Sequence, residues 1–375
     1  MRPIARDRLR TKIIRSLRTQ GFSVRKGRLI EFADTNKGSL RALHQSAVSH
    51  RIADAHQRLI CLEPRFLRSI ANGSEVDPLN IRPRLVQVVR GSFEELLFRY
   101  VTLHWSIPVS SGYGRRLRFL VLDESNEKLI GVIGLADPVI NLKARDAFIG
   151  WNTAQKANRL RYVMDAFVLG AVPPYTFLLG GKLVAMLAAS EQVRAAFRRQ
   201  YRQSTSRISE QTCDGRLAML TTTSALGRSS VYNRLSYRDG PLFLHAGLTA
   251  GSGEFHFSNG VYSSMAAYAA RYCEPTGKHS SWGGGFRNRR EVVKKCLQRI
   301  GLSSEWVYHG VRREVFAVPL ATNTLPFLRG ETDRLRYLPL DAGHLFDYFR
   351  ERWLLPRSDR DRRFLEWSAS DWRLW

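Results

Sequence analysis

A run of basic residues follows three glycines near position 285, and this order is the strongest chemical signal in the chain. Glycine lets a backbone approach a phosphate chain closely, and guanidinium groups bind phosphate oxygens through paired hydrogen bonds. The segment therefore predicts contacts with a nucleic-acid backbone; a basic helix face that meets only water is the common alternative. The predicted contact residues are Arg287, Arg289, Arg290, Lys294 and Lys295, with Trp282 as a ring on which a base could stack.

Glu254 and His256 flank Phe255, so on a β-strand their side chains would point to the same face. A carboxylate and an imidazole can hold a metal ion or move a proton, and with Asp146 they form the candidate catalytic set of a metal-dependent DNA nuclease or nickase. No second acidic cluster lies nearby in the sequence, so structural hydrogen bonding by His256 is the favoured interpretation. We expect no cofactor, and a divalent ion such as Mg²⁺ only if the chain is a nuclease.

Arg145, Asp146 and Trp151 form a polar cluster beside an apolar stretch, and two interpretations are open. In the first, Arg145 contacts a phosphate and Trp151 stacks on a base. In the second, a buried ion pair between Arg145 and Asp146 braces a tryptophan of the core. The second is favoured, although Arg145 and Trp151 are both kept among the candidate nucleic-acid contacts.

Arg312 and Arg313 follow His309 closely and are two further candidate contacts with nucleic acid. Neighbouring arginines would lower the pKa of His309 and favour its neutral, basic form. The alternative is a salt bridge with Glu314 on the surface of a strand, which contributes little to stability.

The net charge makes nucleic acid the expected partner. The chain has 59 Lys and Arg against 33 Asp and Glu in 375 residues, a formal net charge of +26 at pH 7. Such an imbalance attracts polyanions. Nucleic acid is the commonest polyanionic partner of a basic soluble protein, and an anionic membrane surface comes second. DNA is therefore the predicted partner.

Membrane and secretion signals are weak in this sequence. The apolar stretch at 166–190 contains Pro173-Pro174 and Gly180-Gly181, which would break a membrane-spanning helix, so no membrane partner is expected. Arginines interrupt the N-terminal stretch, unlike a signal peptide, and the four cysteines have no paired spacing. We therefore expect a protein of the reducing cytoplasm, without a disulfide framework.

The elements that carry these residues alternate between helices and strands, which predicts a mixed α/β (α+β) fold. Apolar residues at helical spacing predict helices before Gly21 and over 38–62, 182–201, 265–272, 288–300 and 343–352. Apolar alternation predicts strands over 117–123, 129–136, 160–169 and 217–223, with short strands around Val315 and Leu338. We divide the chain into a small helical unit at 1–84, a mixed-sheet core at 85–250 and a basic α+β region at 251–375.

One stretch of the core resembles acetyltransferases of the GNAT type. The run 168–187, with a Pro-Pro turn and a glycine pair before a helix, and the segment 229–237 carry this resemblance. In GNAT proteins, backbone N–H groups at the start of the helix hold the pyrophosphate of acetyl-CoA. The loop here is Thr176-Phe-Leu-Leu-Gly180-Gly181-Lys182 and lacks the Arg or Gln with GxG spacing. The resemblance implies a GNAT-like sheet, and a GNAT-like acyltransferase is the second alternative function.

Four segments in order resemble the DruA proteins of the Druantia bacterial antiphage defence system. The segments begin at Arg145, Gly251, Gly283 and His309 and together span 145–331. The resemblance implies a role in defence against phage beside other Druantia proteins, including a large helicase-like component. With the basic charge, it favours a DNA-binding subunit of a defence complex that acts on phage or other invading DNA. The nuclease is the first alternative.

Overall fold

A computed structural model describes residues 3–25, 28–30, 36–205, 210–276 and 285–375 of the chain. Helices and strands alternate along these ranges, which confirms the predicted mixed α/β class. The helices are α1 (Pro3–Thr19), α2 (Lys37–Leu59), α3 (Glu63–Leu67), α4 (Phe93–Leu103), α5 (Lys143–Ile149), α6 (Thr153–Arg159), α7 (Gly180–Ala188), α8 (Glu191–Tyr201), α9 (Val261–Tyr272), α10 (Arg289–Arg299), α11 (Thr324–Leu328), α12 (Ala342–Phe349) and α13 (Leu355–Arg360).

The strands form one large sheet and two small hairpins. The strands are β1 (Ser23–Arg25), β2 (Arg28–Ile30), β3 (Pro83–Gln87), β4 (Arg116–Asp123), β5 (Lys128–Ala136), β6 (Val163–Ala171), β7 (Met219–Thr223), β8 (Ser236–Tyr237), β9 (Gly240–Pro241), β10 (Leu244–Leu248) and β11 (Glu314–Pro319). The seven-stranded sheet has the order β10-β11-β7-β6-β5-β4-β3. Its neighbours pair antiparallel except β6 and β7, which pair in parallel from Val163 to Asp165.

Helices cover both faces of the sheet, which explains why β4 and β5 are almost continuously apolar. On one face, Phe119 and Val121 belong to a core shared with α7, α8 and α12. On the opposite face, Leu120 packs in a core with Leu97 and Tyr100 of α4. The side chains of successive residues of β4 therefore pack into the cores on opposite faces of the sheet, as strand periodicity requires.

A second core joins the N-terminal helices to the region from 255 to 311. Ile13 of α1 and Leu40 of α2 share a hydrophobic cluster with Met265 of α9 and Val293 of α10. At the other end of α2, Leu59 belongs to the core between α4 and the sheet. The packing therefore crosses the predicted boundaries at 84 and 250, and α2 connects the basic C-terminal region to the sheet.

Three local predictions were wrong, each for a physical reason. The helix predicted over 182–201 breaks at Ser190, whose hydroxyl caps the new helix α8. The predicted strand around Leu338 is reduced to an isolated bridge, because Pro339 has no N–H with which to continue a ladder. The residues around Phe255 form a 3₁₀ turn, closed by the Phe257 N–H on the Glu254 carbonyl, and not a strand.

The apolar stretch at 166–190 divides into the end of β6, a turn and the whole of α7. Both elements are buried in the core of the sheet. Within the described ranges, no helix combines the length and the apolar character needed to cross a lipid bilayer.

Candidate nucleic-acid interface

The basic segment predicted from the sequence forms the start of α10, and its N-terminus is firmly capped. The Asn288 side chain accepts a hydrogen bond from the Glu291 N–H at 2.9 Å. The Glu291 carboxylate in turn accepts the N–H groups of Arg287 at 2.6 Å and Thr276 at 2.5 Å. Burial opposes ionisation of Glu291, but these hydrogen bonds outweigh it and lower its pKa to about 2. The backbone from which the arginines project is therefore fixed.

Three of the predicted cations lie beside two tyrosine rings. The Arg289 guanidinium lies 3.8 Å from the centroid of the Tyr262 ring. Tyr308 is contacted by Arg290 at 5.4 Å and by the Lys294 ammonium at 5.9 Å, and 44% of its surface is exposed. Alternating cations and rings are the arrangement that proteins use to hold phosphates and bases together. We call these five residues the arginine–tyrosine face.

The other residues predicted for this segment behave differently. Lys295 lies 3.4 Å from the Glu291 carboxylate and also donates to the carbonyl of Glu274, so its charge is largely neutralised. Arg287 is exposed at the start of the helix. Trp282 and two of the three glycines lie outside the described residues. The stacking role of Trp282 therefore stays a prediction.

The two tyrosines of the face were missed from the sequence. Tyr262 lies in the first turn of α9, and Tyr308 follows the 3₁₀ turn Ser304–Val307. Neither has a spacing that relates it to Arg289 or Arg290, since α9 and the 3₁₀ turn each meet α10 only through tertiary packing. The only available signal was the aromatic content of a basic region.

Arg145 and Trp151 belong to the interior, which corrects their assignment as nucleic-acid contacts. Arg145 has no exposed surface; it donates to Asp146 at 2.6 Å and to the carbonyls of Val139 and Ile140 at 2.7 and 2.9 Å. Trp151 is buried, and its indole N–H donates to Asp146 at 3.1 Å. This is the buried pair bracing a core tryptophan that the sequence favoured, and it leaves no guanidinium surface for a phosphate.

The predicted catalytic set does not assemble. The His256 imidazole is fully buried, with Nε2 2.7 Å from the Trp306 carbonyl, and burial lowers its pKa to about 4. Asp146 is occupied by Arg145, by Trp151 and by Lys156 at 3.2 Å. Glu254 is half-buried near Arg290 and Arg289, and burial raises its pKa. The described residues contain no group of three His, Cys, Asp or Glu side chains that could hold a metal ion.

Arg313 also points inward, which corrects its predicted role. Its guanidinium lies 2.9 Å from His44 Nε2 and 5.7 Å from the Phe255 ring. His44, His256 and His309 surround Phe255 with ring centroids 4.2, 5.4 and 4.5 Å away, and we call these three residues the histidine cluster. Burial, more than Arg313, lowers the pKa of His309 to about 3. Arg312, by contrast, is exposed.

The glycine pair at the start of α7 is a poor cradle for a pyrophosphate. The Gly180 N–H donates to the Tyr175 carbonyl at 2.8 Å, and the Lys182 N–H donates to the Leu179 carbonyl at 2.8 Å. The Lys182 ammonium lies 4.2 Å from the centroid of the Trp353 ring and donates to the Arg234 carbonyl. Two of the N–H groups that would bind a phosphate are therefore already used within the protein.

Two comparisons connect the chain to known proteins. A family model described as "Druantia protein DruA" matches residues 34–330. A protein of Escherichia coli (strain UMEA 4076-1), described as "Druantia protein DruA", is 40% identical over 369 residues, which cover 97% of this chain and 90% of that protein. No solved structure matches the chain.

Proposed function

This chain belongs to the DruA family of Druantia antiphage defence proteins, and we propose that it serves the defence system as a DNA-binding component. The single observation that carries the proposal is the arginine–tyrosine face. Arg289, Arg290 and Lys294 lie there beside Tyr262 and Tyr308, without a carboxylate within 4.0 Å among the described residues.

The face supports binding through the phosphate backbone. Cations without a bound carboxylate release counterions when phosphates replace them, and this gives affinity without dependence on base sequence. The capped start of α10 fixes the backbone that carries the arginines before the DNA arrives, so little backbone entropy is lost on binding. Exposed Arg287 and Arg312 are further proposed contacts at the margin of the face.

Partners and location follow as proposals from membership of the family. We propose that the protein acts in the cytoplasm with other Druantia proteins, among them a helicase-like component, and that its DNA is that of phage or other invaders. A nuclease role for Glu254, His256 and Asp146 is not carried forward, because His256 and Asp146 are committed to structural hydrogen bonds.

The GNAT-like description of the core is kept as a proposal about fold. Its support is the strand β6, the Pro-Pro turn, the glycine pair and the helix α7, which succeed each other as the resemblance leads us to expect. An acyltransferase activity has no such support, because the Gly180 and Lys182 N–H groups are occupied.

The proposal is tested by fluorescence anisotropy with a labelled duplex of about 20 base pairs at increasing salt. With four to six phosphate contacts, affinity should fall about a hundredfold or more between roughly 50 and 200 mM salt. The Arg289→Ala/Lys294→Ala variant should lower the steepness of the log–log slope by about 1.8. A flat salt response, or a slope that this variant leaves unchanged, would rule out the face as the DNA site.

A further inference from the structure

A groove lined by arginines lies between α2, α4 and the start of β4, apart from the arginine–tyrosine face. It has a volume of about 380 Å³, and its basic lining residues are Arg51, Arg58, Arg99, Arg116 and Arg118. The last three also line an adjoining recess of about 450 Å³ that adds Arg90. None of these six residues stood out in the sequence, because they come from separate elements.

The carboxylates of the groove do not neutralise it. Glu95 lies 2.8 Å from Arg99 and 3.0 Å from Arg118, and Asp54 lies 3.4 Å from the imidazole of His50. A hydrogen bond from the Gly91 N–H, assisted by the two arginines, lowers the pKa of Glu95 to about 2, so Glu95 is a permanent anion that holds them in place. Six arginines against two carboxylates leave the two recesses strongly positive.

Arg58 and Arg116 are the cations that remain available to a ligand. Both are exposed, and neither has a carboxylate within 4.0 Å among the described residues. Arg51 is half-buried, donates to the Val109 carbonyl, and lies seven residues before Arg58 on α2. Residues seven apart share one face of a helix, about 10 Å apart along its axis, so Arg51 and Arg58 line the same wall.

The helix α2 runs from the groove toward the arginine–tyrosine face. Burial, and after it the charge of Arg289, lowers the pKa of Arg51. The His50 ring of α2 lies close to Gly260, which immediately precedes α9 and is two residues from Tyr262. A β-carbon at Gly260 would be 3.5 Å from that ring. The groove and the face are therefore neighbours along α2.

The floor of the groove is apolar. Leu96, Phe98, Leu103, Val109 and Phe167 line it, and the Arg118 guanidinium lies 5.6 Å from the Phe98 ring. A duplex keeps its bases stacked inside and gains nothing from such a floor. A single strand exposes base faces and sugars that an apolar surface can cover while arginines hold the phosphates. The volume also suits one or two nucleotides better than a helix of paired strands.

We propose that this arginine groove binds a single DNA strand, with Arg58 and Arg116 on its phosphates and the apolar floor against a base or sugar. The proposal rests on the proposed function and deepens it. Duplex DNA would bind at the arginine–tyrosine face alone, and a strand leaving the duplex would continue into the groove.

The test compares a labelled single strand of about 20 nucleotides with the duplex of the same sequence, using the full chain. The Arg58→Ala/Arg116→Ala variant should bind the single strand roughly tenfold more weakly, the loss expected for charge-assisted contacts. Its salt slope on the single strand should become about 1.4 less steep, at about 0.7 per phosphate contact. Its duplex affinity should stay within about threefold of the unaltered protein.

Matched variants decide between the outcomes. Arg334→Ala/Arg336→Ala removes two exposed arginines outside the groove, and should leave binding of the single strand unchanged. Arg58→Lys/Arg116→Lys keeps the charge and should recover most of the affinity and the slope. The inference is overturned if the Arg58→Ala/Arg116→Ala variant equals this control, or loses duplex and single strand alike. Failure of the unaltered protein to bind either probe would instead overturn the proposed function itself.

Discussion

Two arginine-rich regions of this protein differ in what surrounds their charges. Around Tyr162 and Phe327, arginines are matched with carboxylates: Arg159 lies 2.6 Å from Asp333, Arg216 lies 2.5 Å from Asp214, and Arg329 lies 2.5 Å from Glu331. We call these six residues the paired cluster. In the arginine–tyrosine face and the arginine groove, Arg58, Arg116, Arg289 and Arg290 have no such partner among the described residues.

The number of arginines in a region is therefore a poor guide to polyanion binding. A phosphate that approaches a paired arginine must compete with a carboxylate already bound, whereas one that approaches an unpaired arginine displaces only water and counterions. The net charge of +26 therefore matters where it is uncompensated.

The largest effect is expected where an arginine is buried and paired. Asp146→Ala removes the carboxylate that holds Arg145, leaving a buried guanidinium without its counter-charge. The free energy of unfolding should fall by roughly 3–5 kcal/mol in a denaturant titration. The DNA affinity of the folded protein should be unchanged. A loss of DNA affinity without a loss of stability would mean that Arg145 does contact DNA.

The next effect concerns the histidine cluster beneath the face. Burial lowers the pKa of His44 and His309 to about 3 and that of His256 to about 4. Below about pH 6.5 the imidazoles of the unfolded chain bind protons, whereas those of the folded protein stay neutral. The stability that the three histidines contribute is therefore fully present above about pH 6.5 and falls as the pH drops toward about 4. The loss should be on the order of 2 kcal/mol per imidazole at about pH 5.

A comparison with His44→Gln isolates the contribution of one imidazole from that of the acidic residues. Denaturant titrations at several pH values between about 5 and 7 should show a shallower decline for the variant. Parallel curves for the two proteins would show that burial does not keep His44 neutral.

A smaller effect is expected at the exposed ring of the face. Tyr308→Ala removes the surface on which a base can stack between Arg290 and Lys294, and should weaken single-strand binding by about 1–3 kcal/mol. Tyr308→Phe keeps the ring and should bind almost as well. Equal losses in the two variants would mean that the hydroxyl, and not stacking, makes the contact.

The smallest effect is expected in the paired cluster. Arg329→Ala removes a guanidinium bound to Glu331, which is itself exposed, so the free energy of unfolding should hardly change. DNA affinity in the anisotropy titration should stay within about twofold. A loss as large as that of Arg289→Ala/Lys294→Ala would end the distinction between paired and unpaired arginines.

The sequence predicted what depends on local periodicity. The mixed α/β class, the strands at β4 and β5, and the basic helix α10 all follow from spacing within one segment. It also indicated Arg289, Arg290 and Lys294, since glycine, arginine and helix start are neighbours in the chain. The inward direction of Arg313 could not be predicted, because His44 lies 269 residues away and meets it only through packing of α2.

The arginine groove could not be predicted from the sequence for the same reason. Arg58 lies on α2 and Arg116 on β4, and only the packing of α2 against the sheet brings them to the same arginine groove. The helix α4 had a readable signal in Ser92, whose side chain caps the helix by accepting the Glu95 N–H, followed by apolar residues at helical spacing. Recognising α4 would have placed Arg99 on a surface, but not beside Arg116.

The path of DNA across the surface is tested most directly by photo-cross-linking bromouracil-substituted DNA to the full chain and identifying the attached peptides by mass spectrometry. Tyr308 and Tyr337 form a matched pair for this purpose, being 44% and 37% exposed, with Tyr337 stacked on Arg194 outside the face. The account predicts cross-links at Tyr308 and Tyr262 and none at Tyr337. Cross-links at Tyr337 or within the paired cluster, with none at Tyr308, would contradict it.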